Sequence, residues 1–237
     1  MKILLACFSR TGHTARLADH LAARLAARGH ELAIETITPR ERPSRWRLVP
    51  PLWPAIPLLP LILWVPLFRN WWFRRYPQAE HDLEPLAHPD ASGFDAVCVG
   101  GPKWLYIAYP VARYLNTLGG LAGKPVASFA TFCGPPLDVF EVQMLFTPIR
   151  HRVAAREARV VSTLAVSSTF HEFFFFNEME YVFRAISRLA FGRSLSSYAL
   201  GGAWADAEIE RFCDELEQAK SDSSVVPAKA GTHTPFA

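Results

Sequence analysis

Ser9-Arg10-Thr11-Gly12-His13-Thr14 sets three hydroxyls and a glycine within six consecutive positions. Hydroxyls donate to phosphate oxygens, and a glycine lets the backbone approach a ligand closely. A helix opening directly after such a run adds its first amides and the positive end of its dipole. The chemistry on offer is anion binding. A plain helix cap needs only one side chain of this type. The run is not a Walker A loop, since no Gly-Lys-Ser/Thr follows, and it lacks the Gly-x-Gly-x-x-Gly spacing of a dinucleotide fingerprint.

The elements that must position this turn can be read from the flanking residues. Residues 2–8 are short and apolar after Lys2, as a parallel strand buried on both faces requires. Residues 15–28 place Leu17, Leu21 and Leu25 on one stripe of a helix. Further strands are predicted at 31–37, 94–100, 126–132 and 159–167. Helices are predicted at 109–118, within 137–156 and 172–191, and at 205–220, with a loop at 101–106. Five strands alternating with helices make an α/β, doubly wound parallel sheet with helices on both faces. Ligands of such sheets sit at the carboxyl ends of the strands, where the strand order reverses.

Ser9-x-Thr11-Gly12-x-Thr14 directly after a first strand resembles the FMN phosphate loop of flavodoxin-like proteins. The resemblance covers roughly 1–38 and 92–220. It implies one flavodoxin-like domain over 1–220, strand order 2-1-3-4-5, FMN as cofactor, and a site between the first and third strands. Ser9, Arg10, Thr11, Gly12, His13 and Thr14 are then the phosphate turn, with the Arg10 and His13 side chains expected to face solvent. Gly100-Gly101-Pro102-Lys103-Trp104 fits the family's Gly-x-Pro-aromatic loop, which makes Trp104 the first choice and Tyr106 the second for stacking on the flavin ring. Thr131, Phe132, Cys133 and Gly134 occupy the loop that gives the ring its backbone contacts.

The formal charge of +3 is too mild to argue for nucleic acid, and no basic stripe with interleaved aromatics occurs. Cys7, Cys98, Cys133 and Cys213 form no C-x-x-C pair or metal spacing, so buried thiols in a reducing cytosol are expected, with no metal. Starting directly on a core strand, the chain is not expected to be translocated. Residues 221–237 are polar, without an apolar period, and are expected to be a disordered tail.

Residues 42–78 interrupt the alternation. Leu48 to Phe68 carries no charge and holds six prolines; Arg42, Arg45 and Arg47 precede it, and Arg69, Arg74 and Arg75 follow. A full membrane span is not expected, because prolines remove amide donors and the flanking strands share one sheet. Basic residues at both ends place both ends on the same side. A partly helical 58–73 is expected, as an interfacial anchor over 48–73 for a membrane surface or membrane redox protein, or as a lid or homodimer contact.

The resemblance implies electron transfer through FMN. An NAD(P)H:quinone reductase at the inner face of the cytoplasmic membrane is the leading expectation. A flavodoxin-type carrier for a membrane redox partner is the alternative, and a flavin-free interaction module is the third. The predicted flavin loops hold no carboxylate but do hold Arg10 and Lys103. A positive site favours a reduced, anionic ring, hence two-electron chemistry.

Overall fold

The computed structural model describes residues 1–41, 57–75, 82–104, 106–168 and 174–224. In chain order these form β1 (Lys2–Cys7), α1 (His13–Ala27), β2 (Glu31–Thr36), α2 (Leu59–Trp64), α3 (Pro66–Arg75), β3 (Ala96–Trp104) and β4 (Tyr106–Ile107). Then come α4 (Tyr109–Thr117), β5 (Pro125–Phe132), α5 (Met144–Ala154), β6 (Arg159–Ser167), α6 (Phe174–Phe191) and α7 (Ala203–Ser224). A π-helical turn, Asp138–Gln143, leads into α5.

The sheet runs β2-β1-β3-β5-β6 with every pairing in that path parallel, and β4 folds back antiparallel on β3. Counting the parallel strands alone, the order is 2-1-3-4-5, that of the flavodoxin-like fold. Side-chain alternation explains why β1 is apolar throughout. Ile3, Leu5 and Cys7 enter the core shared with α1 and α7, whereas Leu4, Ala6 and Phe8 enter the core shared with α4 and α5. Leu17, Leu21 and Leu25 of α1 are buried, as their spacing predicts.

The third strand overruns its expected end. Residues 101–104, read as loop from Gly-Pro signals, continue the strand: Gly100, Gly101 and Pro102 pair with Phe129, Ala130 and Thr131. The two glycines are there for room. A methyl on Gly100 would sit 2.2 Å from the Phe129 ring, and one on Gly101 would sit 2.5 Å from Val111 Cγ2.

The insert leaves and rejoins the sheet at one place. Arg40 N–H donates to the Asp82 carbonyl and Glu84 N–H to the Thr38 carbonyl, closing its base. Within it, Val65 is extended where the helix would otherwise continue, because it precedes Pro66. Pro60 and Pro66 fall in the first turns of α2 and α3, where a missing amide costs nothing. The expected partial helix over 58–73 is therefore two helices split at one proline. No helix among the described residues is long and apolar enough to cross a membrane. At the other end α7 continues through Ser224, so residues 221–224 of the expected tail are helical; 225–237 lie outside the described residues.

Candidate functional site

Register brings three chain reversals to one edge. Cys7 lies opposite Gly100, and Pro102 opposite Thr131, so β1, β3 and β5 all end on the same side of the sheet. Phe8 N–H donates to the Gly100 carbonyl at 3.0 Å, tying the start of the phosphate turn to β3.

The turn after β1 is held by its own groups. Gly12 has φ 87° at the N-cap of α1, a left-handed conformation that glycine adopts without strain. Its amide donates to Ser9 Oγ at 3.1 Å, leaving the Ser9 hydroxyl hydrogen to be given elsewhere. No side chain caps α1, and its first turn contains no acidic residue. An uncapped helix start with a serine and an exposed threonine, Thr11, beside it suits an anion. Arg10 is exposed, as expected; His13 is half-buried, against the expectation of a solvent-facing ring.

Thr14 makes a further contact, across the sheet edge. Its side chain is 2 % exposed, and its hydroxyl hydrogen-bonds the Thr131 hydroxyl at 2.7 Å. Thr131 is itself 5 % exposed. The Thr14 hydroxyl, read as a phosphate donor, and the Thr131 hydroxyl thus bond each other, stitching the start of α1 to the end of β5. The Phe132 ring is in the core, and its carbonyl accepts from the Ser168 amide at 2.7 Å and the Ser168 hydroxyl at 3.1 Å. Nothing in the sequence marked Ser168 beyond its place just after a strand.

The remaining predicted positions line the same edge. Pro102 and Lys103 are half-buried near the end of β3, and Lys103 pairs with Ile107 of β4. Trp104 and Tyr106 form the other rung of that two-residue ladder. Their side chains, and residue 105, lie outside the described residues. Cys133 is half-buried and Gly134 buried, with φ 103°. A methyl on Gly134 would meet the Phe183 ring at 3.0 Å, so α6 comes down over this loop.

The four cysteines are thiols, with no disulfide among them. Burial pushes Cys7 up to about 12, with the Asp19 charge adding, and burial raises Cys98 as well. Cys213 rises to about 11, again mainly from burial. Such thiols are inert packing groups rather than nucleophiles. Among the described residues no three His, Cys, Asp or Glu side chains gather as a metal site requires.

No protein-family model matches the chain, and no curated protein matches it. Solved structures do. Oxidised flavodoxin 2 from Bacillus cereus is 15 % identical, with 92 % of this chain and 99 % of that one covered and a TM-score of 0.48. An oxidoreductase from Corynebacterium diphtheriae is 16 % identical, covering 94 % of this chain and 98 % of that one, with a TM-score of 0.47. A flavoprotein in complex with FMN from Lactobacillus acidophilus NCFM is 18 % identical, covering 69 % and 92 %, with a TM-score of 0.40. By its own strand order, and by the three loops gathered where that order reverses, this chain has the flavodoxin-like fold.

Proposed function

We propose that this chain is an FMN-binding oxidoreductase working at a membrane, taking electrons from NAD(P)H and passing them to a quinone or a similar small acceptor. The observation that carries the reading is the uncapped start of α1, with Gly12 in the left-handed conformation and Ser9 beside it, at the reversal point of the sheet. The residues fit a flavin mononucleotide. Ser9 and Thr11 hydroxyls and the first amides of α1 would hold its phosphate, and Arg10 adds a positive charge nearby. Pro102, Lys103, Cys133 and Gly134 would border the ring, with Trp104 or Tyr106 covering it.

FMN, when bound, supplies the redox chemistry; the protein supplies orientation and electrostatics. Lys103 and Arg10 favour added negative charge on a ligand at this edge, consistent with two-electron transfer rather than a low-potential shuttle. The Thr14–Thr131 hydrogen bond fixes the distance between the turn that holds the phosphate and the loop that borders the ring.

The test is a visible spectrum of protein incubated with FMN and desalted, followed anaerobically through additions of NADH and NADPH. A retained flavin band that bleaches with either nucleotide supports a reductase and directs assays to quinones. A retained band indifferent to both assigns the chain to electron carriage. Loss of the band on desalting refutes tight FMN binding and leaves an interaction module.

A further inference from the structure

The insert turns one face inward and the other out. Ile62 is 1 % exposed and packs on Met144 of α5, with Leu58, Phe68 and Trp72 around it. Phe68 and Trp72 stack at 6.1 Å on this inner side. On the outer side Trp64 is 79 % exposed and Leu67 83 %, with Leu61, Val65 and Trp71 also open to solvent. Isolated exposed leucines are ordinary, but five large apolar groups on two adjoining helices and the residue between them form a patch that needs a partner.

From this we infer that the α2–α3 pair is a docking surface for anionic lipid, seating the sheet's carboxyl edge against the membrane. The inference develops the membrane part of the reading above and is independent of the flavin. Charge selects the occupant. Between residues 42 and 79 the chain has six arginines and no carboxylate. A second copy would bring like charges together, whereas an anionic headgroup layer complements them. Tryptophan at the border between apolar and polar residues suits the same interface. Topology gives the docking a purpose. Thr36, where β2 ends, pairs with Cys7, where β1 ends, so the insert emerges from the edge that carries the phosphate turn. α5 packs on both α3 and β4, the strand that turns back from the end of β3. A lipid-soluble acceptor would thus meet the site without leaving the interface.

The experiment is co-sedimentation of the full chain with phosphatidylcholine vesicles, with and without phosphatidylglycerol, beside light scattering of the protein alone. FMN retention is measured on the same samples, so loss of flavin and loss of lipid binding are read separately. Trp64→Ser with Leu67→Ser changes the two most exposed large apolar groups of the pair and should keep FMN retention and the melting temperature. The inference requires the wild type to pellet with the anionic vesicles and the double variant to bind them at least tenfold more weakly. Three results overturn it: no pelleting of the wild type, equal pelleting of the variant, or equal binding to pure phosphatidylcholine. A wild-type dimer that the double variant makes monomeric, without vesicle binding, assigns the patch to a second copy instead.

Discussion

Replacing Thr14 and Thr131 by valine, singly and together, measures what their hydrogen bond contributes. Both hydroxyls are buried and lie 2.7 Å apart. Either single substitution strands the other hydroxyl without its partner, at a cost of about 1–3 kcal/mol. The double variant removes both polar groups and keeps the branched shape, so it should fall within about 1 kcal/mol of the wild type. Additive behaviour would instead put the double variant about 2–6 kcal/mol below it. The expected coupling is therefore about 3 kcal/mol at mid-range, well above the roughly 0.5 kcal/mol scatter of independent sites. Urea unfolding followed by tryptophan fluorescence reads all four proteins, provided the slopes with denaturant agree. A double variant as unstable as the two singles summed would refute the bond. The two hydroxyls would then be facing something other than each other.

Other perturbations separate the backbone from the packing. Gly12→Ala meets no atom within 4 Å, so its cost is the left-handed φ alone, about 1–2 kcal/mol, and urea unfolding without FMN should show it. Gly100→Ala drives a methyl into the Phe129 ring and should cost about 3 kcal/mol, with Phe129→Leu restoring part of the lost melting temperature. Thiol burial predicts an alkaline instability. Cys7, Cys98 and Cys213 hold their protons in the folded state to higher pH than their usual 9.0, so above that pH the unfolded chain binds fewer protons. Stability is unaffected by these thiols below pH 9 and should fall above it, by up to about 4 kcal/mol per pH unit if all three act. Denaturation curves at pH 8, 9 and 10 test this, and replacing Cys7 by alanine should make the fall shallower.

Much of the frame was legible because apolar strands and leucine stripes report burial directly. The fifth parallel strand fell on residues 159–167 as predicted, and the helix start fell beside the hydroxyl-rich turn. What fails is the reading of Gly101 to Trp104 as loop. Those residue types usually break strands, but here two bare Cα atoms make space for Phe129 and Val111 in neighbouring elements. That reason is tertiary and leaves no local mark. The pairing of Thr14 with Thr131 is of the same kind: the two residues lie in separate loops, and only the tertiary fold brings their hydroxyls together. Prolines in the insert were read as breakers, yet position within the turn decides, and Pro60 and Pro66 sit where a helix tolerates them.

The break at Val65 also sets a depth. A helix rises about 1.5 Å per residue, so the ten residues of α3 reach about 15 Å and the six of α2 about 9 Å. The hydrocarbon layer of a bilayer is about 30 Å thick. Even end to end the two helices reach about 24 Å, short of that thickness, and the base closed by residues 38–40 and 82–84 returns the chain to one side. Lying in the interface with its exposed face toward lipid, the pair would displace lipid of a single leaflet. Its insertion would expand that leaflet alone, so the seating would be sensitive to how tightly the leaflet is packed and to its curvature.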